Sequence, residues 1–177
     1  EQSLLIPHKN ALELMRMLES VAEDPKLQVD ENQCAFTFTN GIYITSRLTS
    51  GSFPDYTQII PKEYVTHATV LRKDLMHAFK KTNIFLNKFM QVGVIVTNAS
   101  LTISANSGDV GTTTESVTAT VKGDELTLNF NQRYVAEVLS HINDDSLVLH
   151  FAGIGRPVVL EGVNDKTIRY LVMPMNR

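Results

Sequence analysis

Tryptophan is absent from this 177-residue chain and cysteine occurs once, at Cys34. A lone thiol closes no internal disulfide and builds no thiolate zinc cluster, so the fold must rest on its core, and a reducing cytoplasm is the expected compartment. No stretch approaches the roughly 18 consecutive apolar residues of a membrane-spanning helix. The opening Glu1-Gln-Ser-Leu-Leu-Ile-Pro7 has neither the basic region nor the cleavage site of a secretory leader, and no membrane partner is expected. Without that context the sequon Asn98-Ala-Ser100 carries no weight. Surplus positive charge is missing as well. A formal net charge of −3 argues against a protein that grips nucleic acid by affinity alone, which normally needs a basic domain.

Catalytic spacing is equally scarce. The five histidines (His8, His67, His77, His141, His150) fall in no HExxH or HxxxH pattern, and no GxSxG elbow occurs. The acids stand singly or as Asp144-Asp145, which reads as solvated turn punctuation rather than a two-metal site. Gly108-Asp-Val-Gly111 lacks Walker or dinucleotide spacing, so its glycines, like Ser107-Gly108-Asp109, are loop residues. No catalytic residue, metal or cofactor is expected.

With 43% hydrophobic residues the chain can bury a sizeable core. Its charge is segregated. Between Arg72 and Lys88 five basic residues (Arg72, Lys73, Lys80, Lys81, Lys88) stand against the single acid Asp74, while acids collect at Glu19, Glu23, Asp24, Asp30, Glu31 and Asp144-Asp145. Periodicity repeats one order, strand, helix, strand, strand, strand, three times. The first repeat has strand Leu4–Ile6, a helix from Lys9 to Val21 with an apolar stripe of Ala11, Met15, Leu18 and Ala22, and strands Leu27–Val29, Ala35–Thr39 and Ile42–Leu48, the last two joined at the hairpin signal Asn40-Gly41. The second has strand Thr66–Leu71, a helix over Lys73–Asn83 burying Leu75, Met76 and Phe79, strands Val92–Thr97, Leu101–Ala105 and Ser116–Lys122, and a loop over Gly108–Thr113. The third has strand Leu126–Phe130, a helix from Gln132 to Ile142 with Tyr134, Val135, Val138, Leu139 and Ile142 inward, and strands Leu147–Phe151, Pro157–Glu161 and Thr167–Met173. A helix on one face of a short antiparallel sheet leaves half of that sheet uncovered, so two such repeats must pair to make a domain.

Four separated strings, IYITSRLTSGSFPDYTQIIPK (42–62), ISANS (103–107), FNQRYVAEVL (130–139) and YLVMPMNR (170–177), occur in an order that resembles the bacterial DNA polymerase III beta subunit, the replication sliding clamp family. The resemblance implies an α+β DNA-clamp fold of repeated β-α-β-β-β units, with helices on a concave DNA-facing side and antiparallel sheets outside. The family has six units in three domains, so residues 1–62 would be the second half of the middle domain and residues 63–177 the complete C-terminal domain. A chain opening on Glu1 rather than Met fits a piece of a longer protein.

The resemblance implies a non-catalytic processivity factor that encircles duplex DNA without reading sequence. Through a hydrophobic pocket it would hold the polymerase, clamp loader and repair proteins by peptides that begin with Gln and end in Leu/Phe. The residues carried over to the pocket are Pro54, Ile59, Phe89, Asn131, Tyr134, Gly155, Pro157, Leu171, Met173, Pro174 and Met175. Apolar anchors would desolvate the Leu/Phe end, with Asn131 and the Tyr134 hydroxyl holding the Gln. The DNA-facing set is His8, Lys9, Arg16, Lys73, Lys80, Lys81 and Arg133, and Ile84 and Phe85 would meet the partner in a homodimeric ring of the full-length protein. Departures fall at the rim, where Gln58 stands in place of a common Arg and the chain ends Asn176-Arg177. The rival readings are a peptide-binding module unrelated to DNA and a small hydrolase.

Overall fold

The computed structural model describes residues 3–175, so Asn176 and Arg177 lie outside the described residues. The chain divides into two compact units, Glu1–Asp55 and Tyr56–Arg177, with the division at 55/56 rather than at the expected 62/63. The residues between belong to the second unit because the 3₁₀ turn Tyr56–Ile59 and Ile60 wall a cavity with Val159 and Leu171 of that unit.

In the N-terminal unit, helix α1 (His8–Ser20) is followed by strands β1 (Lys26–Val29), β2 (Gln33–Thr37) and β3 (Tyr43–Arg47), an antiparallel sheet in the order β1-β2-β3. Pro7, with φ fixed at −55°, precedes a run rich in Ala, Leu, Glu and Met, strong helix formers that start the helix without a side-chain cap. Leu4–Ile6 is not a strand. Among the described residues its backbone makes one long-range bond, from the Thr49 amide to the Leu5 carbonyl at 2.8 Å, and Pro7 has no amide to extend a ladder. The inward stripe of α1 also differs from expectation. Leu14 and Val21 pack against the small core of Cys34, Phe36 and Phe38, whereas Met15 is 50% and Leu18 37% exposed, and Ala11 and Ala22 are exposed too. Leu12, Leu14, Met15, Met17 and Leu18 make the helix apolar on more than one side, so spacing alone did not pick the inward one. The Asn40-Gly41 turn forms as expected, with Gly41 at φ +87° and the Asn40 side chain accepting from the Ile42 amide at 3.0 Å. Glu23 braces it by accepting from the Thr39 hydroxyl and from the Thr39 and Asn40 amides; the hydroxyl contact chiefly holds its carboxyl below the usual range.

The C-terminal unit runs β4 (Thr66–Leu71), α2 (Arg72–Thr82), β5 (Gln91–Val96), β6 (Ser100–Ser107), β7 (Gly111–Gly123), β8 (Leu126–Asn131), α3 (Gln132–Val138), β9 (Ser146–Phe151), β10 (Val158–Gly162) and β11 (Arg169–Val172). Repeats two and three thus merge into one antiparallel eight-stranded sheet, β11-β10-β9-β4-β7-β6-β5-β8. The fold is α+β, as expected. Every strand except β11 alternates cleanly or is buried throughout, and its inward side chains form one core with α2 and α3: Leu75, Phe79, Val94, Ile103, Phe130, Val135, Leu149, Phe151 and Leu160 among them. The sheet curls until its ends meet, and the Met175 amide, beyond β11, donates to the Asn129 carbonyl of β8 at 2.7 Å.

Two expected features of this unit change. The loop over Gly108–Thr113 shortens to a turn at 108–110, because β6 and β7 pair down to Ser107 and Gly111. Helix α3 stops at Val138, and Tyr134, expected inward, is 54% exposed while Val135, Val138, Leu139 and Ile142 are buried.

Candidate functional site

Alternation along β10 and β11 sends Val158, Leu160 and Val172 into the core and turns Val159, Glu161, Arg169 and Leu171 to the opposite face. There Tyr56, Ile59 and Ile60 stand over Val159 and Leu171, with Lys166, Thr167 and Arg169 opposite, around an open cavity of about 380 Å³. Its floor is aliphatic, and the charged residues of its lining are the cations Lys166 and Arg169. Glu161, 7% exposed, holds both in place: Lys166 Nζ lies 2.8 Å from one carboxylate oxygen and Arg169 Nε 3.2 Å from the other. Burial works to raise the Glu161 carboxyl, but hydrogen bonds from Lys166 and His150 outweigh it and leave it below the ordinary carboxylate value.

One rung of cross-strand partners leads away from this cavity. Leu171 faces Val159, Val159 faces His150, His150 faces His67, and His67 faces Lys122 on β7. The two histidines touch through their Nδ1 atoms at 2.6 Å, and His150 Nε2 lies 3.2 Å from Glu161.

Of the residues carried over for a pocket, Ile59 and Leu171 share this cavity. Phe89 and Asn131 meet elsewhere, Asn131 Nδ2 donating to the Phe89 carbonyl at 3.3 Å while its Oδ1 caps α3 at the Arg133 amide, 3.0 Å away. The bond from Met175 to Asn129 brings the tail to that second cluster, where Phe89 (58%), Tyr134 (54%) and Met173 (56%) are exposed and Pro174 partly buried. Gly155, at φ +70°, and Pro157 lie in the connection between β9 and β10 and do not line the cavity. Pro54 is exposed in the other compact unit. Sequence reasoning missed Tyr56, Ile60, Val159, Lys166, Thr167 and Arg169. The signal was available in part, since residues two apart on a strand share a face, which joins Arg169 to Leu171.

The cations fall on helix surfaces. On α2, Lys73, His77, Lys80 and Lys81 are exposed at i, i+4, i+7 and i+8, opposite the buried Leu75, Ala78, Phe79 and Thr82, and Lys81 reaches Glu115 of β7 at 2.8 Å. His77 belongs to this face and was not anticipated, although its i+4 spacing from Lys73 signals it. His8, Lys9 and Arg16 are exposed on α1, Arg16 bonded to Glu13 at 2.6 Å, and Arg133 is exposed at the start of α3. Ile84, just after α2, is 67% exposed, whereas Phe85 is half-buried against the core. Among the described residues no group of three or more His, Cys, Asp or Glu is placed to hold a metal ion, and no helix is long and apolar enough to cross a membrane.

The chain is similar in sequence and fold to known proteins. The chain is 30% identical over 180 residues to the beta sliding clamp of Synechococcus elongatus, covering 99% of this chain and 48% of that protein. It is 30% identical over 174 residues to the beta sliding clamp of Escherichia coli strain K12, covering 98% and 47%. Among solved structures, a DNA polymerase sliding clamp from Pseudomonas aeruginosa superimposes with a TM-score of 0.85 at 26% identity, covering 99% of this chain and 49% of that one. The sliding clamp of Bacillus subtilis gives 0.85 at 28%, covering 98% and 47%. The chain therefore spans about half the length of the relatives it matches. The family model of the DNA polymerase III beta subunit central domain matches residues 1–55 and that of its C-terminal domain residues 57–176, meeting where the two compact units divide; the chain belongs to the DNA polymerase III beta subunit family, the bacterial sliding clamps.

Proposed function

We propose that this chain is the part of a replication sliding clamp that carries its partner-docking surface and a share of its DNA-facing wall. In this reading residues 1–55 are half of a middle domain and the C-terminal unit is a whole last domain. The full-length protein is a homodimeric ring in the cytoplasm that encircles duplex DNA, performs no chemistry, and tethers the polymerase, clamp loader and repair proteins by peptides ending in Leu/Phe. The observation that carries it is the separation of two unlike surfaces on one unit of a clamp-family fold: an aliphatic cavity at Ile59, Val159 and Leu171, and a row of exposed cations on α2. A ring that holds DNA topologically needs only a mild positive lining, which fits a chain of net charge −3 whose cations gather on one helix. Ile84 and Phe85 would lie at the ring interface, and the cluster of Phe89, Asn131, Tyr134, Met173, Pro174 and Met175 would take the Gln end of the peptide.

A crossed pair of variants tests both surfaces. Ile59→Ala, at a residue 58% exposed, should weaken a Leu-Phe-ending peptide by about 1–3 kcal/mol in calorimetry and leave duplex binding alone. Lys80→Ala with Lys81→Ala should reduce the weak, salt-sensitive duplex binding seen by fluorescence anisotropy and leave the peptide untouched. A peptide that binds the Ile59 variant as tightly as the parent refutes the docking site. An unchanged duplex affinity in the lysine variant removes α2 from the DNA-facing wall and favours a peptide-binding module unrelated to DNA.

A further inference from the structure

The pair His67–His150 has no part in the core, yet contacts on both sides fix it on the outer face of the sheet. Glu161 is ionised and can only accept, so His150 Nε2 must carry a hydrogen to make its 3.2 Å contact. In the neutral ring that leaves His150 Nδ1 bare, and the 2.6 Å contact is then a bond donated by His67 Nδ1–H. Donors run in one direction, from His67 to His150 to Glu161.

Such a chain admits one proton and rejects a second. With a single added proton one of the facing Nδ1 atoms still accepts; with two, both carry hydrogens and the contact cannot survive. The surroundings are also unfavourable to charge. Lys122 of β7 faces His67, Lys166 and Arg169 already share Glu161 with His150, and the Tyr64 ring, just before β4, packs on both imidazoles at 5.8 and 5.2 Å. Burial, more than Glu161 can offset, pushes the His150 imidazole below its ordinary value.

The pair lies one strand away from the cavity floor. His150 is the direct cross-strand neighbour of Val159, which is the neighbour of Leu171, so the same rung of the sheet holds the imidazoles and the aliphatic floor. Covering that floor with an apolar side chain removes water from beside the imidazoles, and a protonated imidazole loses hydration that a neutral one does not need. We infer that His67 and His150 make occupancy of this cavity proton-linked, an apolar peptide end binding when the pair is neutral and being released as the pair takes up a proton. The inference rests on the docking role proposed above and adds its control: peptide and proton compete across one sheet rung, and binding expels a proton in mildly acidic solution.

The test uses the full 177-residue chain and a short labelled peptide that opens with Gln, ends in Leu-Phe, is blocked at both ends and contains no His, Asp or Glu. Anisotropy at about pH 7.5 and about pH 5.5 should show affinity falling by up to about tenfold. His150→Gln, whose amide can still donate to Glu161, should reduce the fall to within about twofold, and His67→Gln should reduce it in the same direction. Calorimetry of the unaltered chain at about pH 6, in two buffers of different ionisation enthalpy, should show proton release on binding, so the inference stays testable if either variant fails to fold. Binding at neutral pH that is insensitive to acid, or that expels no proton, overturns the proton link alone. Absence of binding at about pH 7.5 overturns the docking site and the link together.

Discussion

Both compact units present a helix to a short antiparallel sheet, yet α1 contributes no fully buried side chain whereas α2 buries Leu75, Ala78, Phe79 and Thr82. The helices do not differ in kind: each is amphipathic and of similar length. The difference is what lies beyond. Helix α2 has β4, β6 and β7 beneath it and α3 beside it, so its apolar stripe closes a core built from two repeats. Helix α1 has one three-stranded sheet, and Met15, Met17 and Leu18 stay at the surface. An amphipathic stripe states that a helix can be buried; how many strands and neighbouring helices it meets decides how far.

The largest expected effect sharpens that contrast. Phe79→Ala, at a side chain 2% exposed, should cost the C-terminal unit about 3–5 kcal/mol in urea denaturation, while Leu14→Ala, at the half-buried inward position of α1, should cost the N-terminal unit about 1 kcal/mol. Equal losses would mean that α1 is as deeply committed as α2, and the comparison would fail.

Two glycines give a smaller, matched pair. Gly123 sits at φ +116° with an added Cβ only 2.1 Å from the Val65 carbonyl oxygen, so Gly123→Ala meets backbone as well as an unfavourable φ and should cost about 2–3 kcal/mol. Gly41, at φ +87°, has nothing within 4 Å of that position, and Gly41→Ala should cost only the conformational part, about 1 kcal/mol. Thermal unfolding of the two variants checks the order.

The smallest effect is one of pH. His150 is a base held below its ordinary value of 6.5, so the folded unit favours its neutral form; that stabilisation is complete above 6.5 and wanes as pH falls below it. Glu161 and Glu23 are acids held below their ordinary 4.5, and their contributions, present above 4.5, disappear as pH falls further. The C-terminal unit should therefore begin to lose melting temperature between about pH 6.5 and 5, while the N-terminal unit holds until lower pH. Calorimetric scans across that range would contradict this if both transitions moved together.

Local chemistry made most elements legible. Asn40-Gly41 marked a hairpin, and the strands expected at Leu147–Phe151 and Val92–Thr97 form at Ser146–Phe151 and Gln91–Val96. What was illegible depended on partners distant in sequence. Leu4–Ile6 reads as a strand yet has no ladder, and α1 carries two apolar stripes of which spacing could not choose one. In the candidate site, Ile59 and Leu171 were accessible through the resemblance, but Val159, Lys166 and Arg169 join them only because β10 and β11 pair in one particular register and Glu161 gathers the cations from beneath. A string of residues does not display a register.

The bond from the Met175 amide to the Asn129 carbonyl makes the segment after β11 a latch across the sheet's two ends. An exposed edge strand is a template on which other chains polymerise, and β8 would be such an edge wherever the tail did not lie on it. Residues 173–175 thus cover part of that edge as well as closing the sheet. A protease that clipped them would leave the core intact and still release a protein inclined to pair, strand to strand, with its neighbours.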